Sequence, residues 1–349
     1  MNVVRIGDRP VGEGAPVYVI AEAGSNHDRD LDQARRLVDV AAAAGADAVK
    51  FQTFTADRIV AETRTRAAYL DAILPPDETM ASLFRKLELP YEWHAILKAQ
   101  AESAGLDFLS SAFDEQAVDL LHGLGVKAYK VATYELWHLP LIRYIARLGR
   151  PMICSTGMAS IGEVADAVRA VEEEGNLDNL VLLHCTVNYP PPFADLNLRA
   201  MATMRTAFRV PVGYSDHTPG WTAPVVAVAL GAAVIEKHFT TSRDRPGPDH
   251  RFALEPDELA AMVRAIRDAQ ASLGDGIKRM APAEADLYVT ARRSLHAARD
   301  IEAGEVLDRG AIVILRPGTG IEVRDLPHVV GRTARRRIRR HEPLAWEAL

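Results

Sequence analysis

Short hydrophobic runs recur along the first two thirds of the chain, and each is bounded by turn residues or by a stretch with helical periodicity. The eight runs begin at Val17, Ala48, Asp107, Ala128, Met152, Leu180, Val210 and Val234. Apolar residues are nearly continuous within each run, which is typical of parallel strands that are covered on both faces. The pattern therefore predicts eight buried parallel strands.

Amphipathic stretches separate the hydrophobic runs. The segment LDQARRLVDVAAAAGA follows Asp30 and IGEVADAVRAVEEEG follows Ser160; both place apolar residues three and four positions apart and contain an exit glycine. Eight units of strand and helix favour a (β/α)8 barrel, because a doubly wound sheet rarely needs eight regular repeats. We therefore predict the α/β fold class, with a TIM barrel over residues 1–273.

Two segments depart from this repeat. Ala48 and Asp107 are 59 residues apart, and the insertion between them, residues 57–94, is long enough to form helices or a lid over one end of the barrel. The first 16 residues contain Gly and Pro turn signals and predict a hairpin that closes the opposite end.

The pattern changes after the last helix of the repeat. Residues 274–290 predict a linker, and residues 291–349, with short strand signals separated by Gly and Pro, predict a small, mainly β domain. From Tyr288 onward the chain carries 12 Arg and 8 acidic residues, a net charge of +4 in a chain whose total is −6. This asymmetry favours docking onto an acidic surface, such as the barrel of a neighbouring subunit.

The composition narrows the class of protein. Hydrophobic residues make up 48% of the chain and charged residues 25%, an ordinary globular mixture, and the net charge gives no reason to expect nucleic acid or a membrane as partner. The two cysteines, Cys154 and Cys185, form no CxxC pair, which argues for a reducing compartment and against disulfides or structural zinc. No run of 18 apolar residues occurs. We therefore expect a cytoplasmic protein that acts on small molecules.

The candidate chemistry lies where the predicted strands end, because TIM barrels carry their reactive groups at the carboxyl ends of the strands. These ends are unusually polar. The side chains that fall there include Glu22, Lys50, Gln52, Ser111, Lys130, Thr133, Glu135, Ser155, Asn188, Tyr189, Ser215, His217, Glu236, His238 and Asp249. Any one of them could have a purely structural role, but the set as a whole predicts an active site.

Two of these residues, Lys50 and Lys130, lie on strands two apart in the predicted barrel. Burying an unpaired ammonium costs several kcal/mol, so an anion is expected between them. Nearby hydroxyls would complete a cage for a phosphate and a carboxylate; they are Ser111, Thr133, Ser155 and Ser215. A lysine that forms a Schiff base, as in aldolase barrels, is the alternative interpretation.

His217 and His238 end adjacent predicted strands. Two imidazoles with carboxylates nearby, here Glu22 and Asp249, predict an open site for a divalent metal ion. The alternative to a metal site is that the two histidines act as a general acid and a general base without a metal. The sequence contains no Walker A motif, and no GxGxxG follows a predicted strand, so nucleotide binding has no support.

Several long motifs in order resemble the sialic acid synthase family, the N-acetylneuraminate synthases. They are IAEAGSNHDRDLDQA, GADAVKFQTF, LELPYEWH, STGMASIGEV, GYSDHTPG, GAAVIEKHFT, PGPDHRFALEPDEL, RRSLHAARDIEAGEVL and RPGTGI. The resemblance runs from Val17 to Pro343 and includes the small domain, which resembles the antifreeze-like, or SAF, domain.

The resemblance implies a transferase that condenses phosphoenolpyruvate with an N-acylated amino-hexose such as N-acetylmannosamine. The products would be a nine-carbon 2-keto sugar acid and phosphate, formed through a metal-polarised open-chain aldehyde and C–O cleavage. It also implies a homodimer in which the SAF domains swap, so that each covers the active site of the other subunit.

The family's functional positions match residues of this chain. The resemblance assigns phosphoenolpyruvate binding to Lys50, Ser111, Lys130, Thr133, Ser155, Asn188 and Ser215. It assigns a divalent metal, Mn2+ or alternatively Mg2+ or Co2+, to His217 and His238. It assigns sugar binding to Glu22, Gln52, Glu135, Tyr189, Glu236, Asp249 and Arg316. The residues it implies for catalysis are Glu22, Lys50, Lys130, His217 and His238.

The chain departs from the family pattern at positions that are expected to shape the sugar pocket. Tyr134 could narrow the sugar pocket, Trp137 and His138 are bulky, and Val187 removes a hydrogen bond that Asn188 could replace. A precursor of legionaminate, pseudaminate or an antibiotic sugar acid is therefore an alternative substrate. The alternative from a different class of protein is a homologue that binds carbohydrate and does not catalyse a reaction.

Overall fold

The computed structural model describes residues 3–63 and 78–349. The chain divides into two compact units, Met1–Gly274 and Asp275–Leu349. The first unit begins with a two-stranded antiparallel hairpin, β1 (Val4–Ile6) and β2 (Arg9–Val11).

Eight parallel strands then form a closed barrel, in which the last strand pairs with the first. They are β3 (Tyr18–Gly24), β4 (Ala48–Thr53), β5 (Asp107–Ala112), β6 (Tyr129–Val131), β7 (Met152–Ser155), β8 (Leu180–Cys185), β9 (Val212–Asp216) and β10 (Val234–His238). The TIM barrel predicted from the hydrophobic runs is therefore confirmed.

Helices surround the barrel strands. They are α1 (Leu31–Ala43), α2 (Ala56–Ile59), α3 (Met80–Leu87), α4 (Trp93–Ser103), α5 (Glu115–Leu124), α6 (Leu139–Ala146), α7 (Ile161–Glu173), α8 (Ala200–Phe208), α9 (Thr222–Ala229) and α10 (Pro256–Leu273). Local sequence sets several of their ends: Asp30 and Ser160 cap α1 and α7 through their side chains, and Gly125 ends α5 in the left-handed conformation, with φ 73°. Among the described helices, none is both long and apolar enough to cross a lipid bilayer.

The barrel has an outer and an inner hydrophobic layer. The outer layer packs the strands against the helices. The inner layer lies at the amino-terminal end of the barrel, where Val4, Ile6 and Val11 of the hairpin pack with inward-facing residues such as Ile20 and Ile153. The hairpin therefore closes the end of the barrel opposite the carboxyl ends of the strands.

The segment between β4 and β5, which includes the insertion, contributes α2, α3 and α4. Thr79 caps α3, and Glu88 accepts a hydrogen bond from the backbone of Ala56 at the start of α2, over 2.8 Å. Residues 64–77, which belong to the segment predicted as a possible lid, lie outside the described residues.

The second unit contains a small antiparallel sheet, β11 (Ser294–Ala297) and β12 (Ile312–Leu315), together with α11 (Ala285–Thr290) and α12 (Leu326–Val329). Isolated bridges extend the pairing, for example between Ile301 and Ile338. Its hydrophobic core is separate from that of the barrel and includes Leu295, Ile312 and Leu344.

Gly213 in β9 tests the packing of the barrel. A Cβ there would lie 2.4 Å from the carbonyl oxygen of Val234 and 2.7 Å from Cδ2 of Leu183. Gly213→Ala should therefore lower the free energy of unfolding by roughly 1–3 kcal/mol, because overpacking forces backbone shifts. Urea unfolding followed by circular dichroism measures the change.

Gly123→Ala in α5 is the matched control, because nothing lies within 4 Å of the added methyl group. It should raise the free energy of unfolding by about 0.5–1 kcal/mol, the gain expected for Ala over Gly in a helix. Equal stability of the two variants would contradict the close approach of β9 and β10.

Candidate active site

A cavity of about 1130 Å³ opens at the carboxyl ends of the barrel strands. The structure brings most of the predicted site residues together around it: Glu22, Lys50, Gln52, Ser111, Lys130, Thr133, Glu135, Ser155, Tyr189, Ser215, His217, Glu236, His238 and Asp249. Asn188 and Arg316 are the predicted site residues outside this set of described residues.

The two predicted lysines share a buried carboxylate. Nζ of Lys50 lies 2.7 Å from Oε2 of Glu22 and 3.8 Å from Oε2 of Glu236. Nζ of Lys130 lies 3.8 Å from Oε1 of Glu236. Glu236, which the family resemblance assigned to the sugar, therefore lies between the two lysines as a shared anionic partner.

The alternation of side chains along β10 explains this placement. Glu236 and His238 point into the barrel, whereas Lys237 between them pairs with Asp216 at 2.5 Å. The parallel register sets Ser215 beside Glu236, and the Ser215 hydroxyl donates to Oε1 of Glu236 over 3.1 Å. One face of this strand therefore supplies the cavity and the other a buried structural ion pair.

Serine hydroxyls accept hydrogen bonds from both lysines. Lys50 donates to Oγ of Ser111 over 3.1 Å, and Lys130 donates to Oγ of Ser155 over 2.8 Å. Thr133 follows β6 and accepts a hydrogen bond from the backbone of Gly157 over 3.3 Å. Beside the two carboxylates, the floor of the cavity therefore offers ammonium groups and hydroxyls, which are suited to a polyoxygenated anion.

Burial and neighbouring charges shift the pKa values on this floor. Burial opposes the charge of Lys50, but Glu22 and Glu236 outweigh it and raise the pKa of Lys50. For Lys130 burial dominates and lowers the pKa. Burial raises the pKa of Glu22, whereas for Glu236 the two lysines outweigh burial and lower the pKa. Glu236 is thus the ionised partner of both lysines, and Glu22 the carboxylate that takes up a proton more readily.

His217 and His238 lie side by side, with ring centroids 5.4 Å apart. Nδ1 of His217 is 3.1 Å from the carbonyl oxygen of Thr186, to which it donates, so the lone pair of the neutral ring is on Nε2. Nδ1 of His238 is buried with no hydrogen-bond partner among the described residues, and it lies 3.8 Å from Oδ2 of Asp249.

These two histidines fit a divalent metal ion. Burial lowers the pKa of His217 to about 4 and that of His238 well below its ordinary value, so both rings are neutral near pH 7 and have lone pairs to offer. Within residues 3–63 and 78–349, no group of three or more His, Cys, Asp and Glu side chains has the arrangement of a metal site. The two neutral histidines could therefore supply two ligands to a metal ion, with the remaining coordination positions left to water or substrate.

An aromatic cluster lies against the histidines. The ring centroids of Tyr189 and His217 are 4.4 Å apart. The ring centroid of Phe252 is 5.0 Å from that of Tyr189 and 5.1 Å from that of His238. The sequence analysis missed Phe252, because a single aromatic residue in a loop has no pattern around it. Tyr134 lines the cavity at its rim and interacts with the Tyr189 hydroxyl.

An apolar wall covers another side of the cavity, and the sequence analysis did not predict it. It is formed by Phe54, Ile59, Val60, Met80, Leu83, Phe84, Leu87 and Phe113. These residues follow β4 and β5 or belong to α2 and α3. The apolar positions of the insertion were visible in the sequence, but nothing there showed that they face the strand ends.

The bulky residues after β6 differ in their placement. The Trp137 indole donates to Oε1 of Glu163 over 2.8 Å, and Nδ1 of His138 accepts from the backbone of Leu141 over 3.1 Å, at the start of α6. Neither is among the described residues that line the cavity. Their side chains make local contacts, and of these three bulky residues only Tyr134 lines the cavity.

Glu135 has an unusual environment. Burial raises its pKa to about 8, and its Oε2 is buried without a hydrogen-bond partner in the described part of the chain. The raised pKa favours the protonated carboxyl near pH 7, the form that can donate a hydrogen bond to a ligand.

The structure does not bring Asn188 to the predicted phosphate site. Asn188 is exposed, and its Oδ1 accepts a hydrogen bond from the backbone of Tyr189 over 3.0 Å. The side chain is thus held on its own turn. Arg316 follows β12 in the second unit.

Comparisons with known proteins agree with the barrel and the small second unit. The NeuB family model matches residues 37–278, and the SAF domain model matches residues 292–349. The N,N'-diacetyllegionaminic acid synthase of Legionella pneumophila is 42% identical over 98% of this chain and 97% of its own. The human N-acetylneuraminate-9-phosphate synthase is 33% identical over 93% of this chain and 90% of its own.

Among solved structures, the N-acetylneuraminic acid synthetase of Leptospira borgpetersenii matches with a TM-score of 0.72 and 32% identity, over 82% of this chain and 94% of its own. The resemblance found from the sequence motifs is therefore confirmed. The similarity extends over the barrel strands that carry the cavity.

Glu236→Gln tests the charge arrangement of the cavity floor. The substitution removes the carboxylate that both lysines share and keeps the shape of the side chain. Two unit charges about 4 Å apart interact with an energy of up to about 4 kcal/mol at an effective dielectric constant near 20. Without the negative charge of Glu236, we therefore expect inorganic phosphate to bind at least about tenfold more tightly. Isothermal titration calorimetry measures this affinity.

Glu172→Gln makes the same chemical change at an exposed position on α7 and should leave phosphate affinity unchanged. If Glu236→Gln also binds phosphate like the wild type, Glu236 is not the counter-ion of the two lysines.

Proposed function

Because the chain belongs to the NeuB family, we propose that it condenses phosphoenolpyruvate with an N-acylated amino-hexose to give a nine-carbon 2-keto sugar acid and phosphate. Relatives that match nearly the whole chain are named synthases of such acids. The observation that carries the proposal is the buried pair of Lys50 and Lys130, beside two neutral histidines in one cavity.

In this proposal the cavity floor binds phosphoenolpyruvate. Lys50 and Lys130 hold its phosphate and carboxylate, and four hydroxyls support them: Ser111, Thr133, Ser155 and Ser215. The ion pairs of Lys50 favour this role over a Schiff base, since an ammonium is not nucleophilic. The site does not extend to Asn188, whose side chain is bonded to its own turn.

His217 and His238 would hold a divalent ion, Mn2+ or alternatively Mg2+ or Co2+. When bound, such an ion supplies Lewis acidity to the aldehyde oxygen of the open-chain sugar. The chain itself keeps both ligands neutral by burial, and the hydrogen bond from His217 to Thr186 fixes the ring that presents Nε2.

The remaining steps rely on the charged residues of the floor. Carbon 3 of phosphoenolpyruvate bonds to the aldehyde carbon, water adds to carbon 2, and the C–O bond to phosphate breaks as the ketone forms. Glu22 is suited to accept the proton of that water, because burial raises its pKa and Gln52 orients it by donating to Oε1 over 2.9 Å. Lys50 and Lys130 neutralise the departing phosphate.

The sugar would lie above the floor, among Glu135, Tyr189, Asp249 and the apolar wall. A protonated Glu135 can donate to an acyl carbonyl or a hydroxyl oxygen. The apolar wall favours a second candidate with the same chemistry, a diamino-deoxy sugar that carries two N-acetyl groups, because methyl groups gain from apolar contact and hydroxyls do not. The Legionella and Campylobacter relatives named N,N'-diacetyllegionaminic acid synthases support this candidate.

A carbohydrate-binding homologue without catalysis would not need the charged floor. Lys50, Lys130, His217 and His238 are all present and buried in this chain. Their retention supports an enzyme.

Phosphate release from phosphoenolpyruvate in the presence of Mn2+ tests the proposal. The sugar panel is N-acetylmannosamine, its diamino-deoxy N-acetylated analogues and unacylated aldoses. We expect turnover with at least one N-acylated sugar, none with the unacylated ones, and loss of turnover on chelation and in His238→Ala. If no phosphoenolpyruvate binds to the wild type, the homologue without catalysis is the better account.

We further propose a homodimer in which the SAF domain of one subunit brings Arg316 to the other subunit's cavity. The excess of Arg in the second unit and its exposed apolar side chains, Leu287, Tyr288 and Val289, suit a surface that packs on another chain. Arg316 would contact the N-acyl group of the sugar.

Mixed dimers of Lys130→Met and Arg316→Ala chains test this arrangement. If Arg316 acts in the other subunit, one site of each mixed dimer has an intact barrel and an intact arginine. Coexpressed chains should then regain up to about a quarter of wild-type activity at low sugar concentration, whereas each variant alone stays impaired. Activity no higher than that of the separate variants would show that the domains are not exchanged.

A further inference from the structure

The loop between β3 and α1 is strained. Asp28 and Arg29, two consecutive residues with side chains, have φ angles of 51° and 53° in the left-handed region. Each such residue costs on the order of 1–2 kcal/mol, and the conformation persists only where surrounding contacts determine it. The contacts of Asp28 therefore point to a specific role for this loop.

The Asp28 carboxylate ties this loop to the one that follows β10. Oδ1 of Asp28 is 3.0 Å from Nε2 of His250, and Oδ2 is 2.7 Å from Nε of Arg245. Because His250 and Arg245 lie on either side of Asp249 in the sequence, one carboxylate holds side chains at both ends of the segment that carries Asp249.

His250 is built into this connection. Its ring is fully buried, and Nδ1 lies 2.6 Å from Oγ1 of Thr240. Gly247 packs closely against it: a Cβ at this position would lie 2.8 Å from Cδ2 of His250 and 2.9 Å from Oδ1 of Asp28. The segment can approach Asp28 only with a glycine at this point.

Asp249 makes its contacts inside the cavity. Its Oδ2 accepts a hydrogen bond from Ser25 over 3.1 Å and lies 3.8 Å from Nδ1 of His238. Ser25 belongs to the same loop as Asp28. The two loops are therefore joined outside the cavity, through Asp28, as well as inside it, through Asp249.

We propose that Asp28 is a positioning residue that sets the location of Asp249 for the sugar substrate. It acts through His250 and Arg245 and touches no reacting atom. The proposal rests on the proposed function, in which Asp249 contacts the sugar while the lysine floor binds phosphoenolpyruvate. Loss of Asp28 should therefore weaken sugar binding selectively.

The kinetic test uses Asp28→Ala and Asp28→Asn with phosphoenolpyruvate and the accepted sugar. In Asp28→Ala the KM for the sugar should rise roughly ten- to a hundredfold, because displacements of about 1 Å have effects of this size, while the KM for phosphoenolpyruvate stays near wild type. Asp28→Asn, which keeps an acceptor oxygen and tolerates the left-handed conformation, should give a smaller rise. Equal changes in the two KM values would overturn the proposal.

Asp30→Asn is the matched control in the same loop. Asp30 caps α1 by accepting from the backbone of Asp32 and Gln33, and Asn caps equally well, so kinetics and stability should not change. His250→Gln, which retains an amide donor toward Asp28, should be milder than His250→Ala.

Hydrogen exchange of the protein without substrates separates the proposal from the proposed function. Peptides that cover residues 241–250 should exchange faster in Asp28→Ala than in the wild type, and Asp30→Asn should match the wild type. Unchanged exchange in Asp28→Ala would overturn the positioning role, even if the wild type is fully active. Faster exchange in Asp28→Ala, together with a wild-type chain that turns over no sugar, would instead overturn the proposed function alone.

Discussion

Two ammonium groups, those of Lys50 and Lys130, are almost completely buried at one end of the barrel. An unpaired ammonium in such a place costs several kcal/mol, so neighbouring strands must supply negative charge and hydroxyl groups. Glu236 lies between the lysines, Glu22 pairs with Lys50, and serine hydroxyls complete their hydrogen bonds. These polar residues at neighbouring strand ends meet this requirement.

The same environment determines the state of the neighbouring histidines. Burial is the main cause that lowers the pKa of His238, and the positive charges of Lys50 and Lys130 add to it. The rings are therefore available as neutral ligands. The cavity as a whole has a charged floor, a pair of histidines with aromatic neighbours, and an apolar wall, which suits a charged and a partly apolar substrate bound together.

The barrel was predictable because nearly continuous apolar runs, repeated at regular spacing with amphipathic helices between them, are typical of parallel strands buried on both faces. The grouping of Lys50, Lys130, His217 and His238 was also predictable, since the ends of parallel strands meet at one face. The partner of the lysines was not, because the sequence shows that Glu236 points inward but not which side chain it reaches. Asn188 and Trp137 lie in or beside turns, where single hydrogen bonds, to the backbone of Tyr189 and to the side chain of Glu163, decide the direction of the side chain and no periodicity predicts it.

Features that depend on contacts far apart in the chain were beyond the sequence. Phe252 has no repeating neighbours, and most of the apolar wall consists of insertion residues whose direction only the fold determines. The contact between Asp28 and His250 joins positions 222 residues apart. Such pairs follow from the closure of the barrel, in which β10 lies beside β3.

A crystal structure with phosphoenolpyruvate bound tests the central claim most directly, which is that the buried lysine pair forms the anion site of the enzyme. The account predicts the phosphate or carboxylate oxygens within hydrogen-bond distance of Nζ of both Lys50 and Lys130. Phosphoenolpyruvate bound elsewhere, with no oxygen atom of the ligand near either ammonium group, would contradict it.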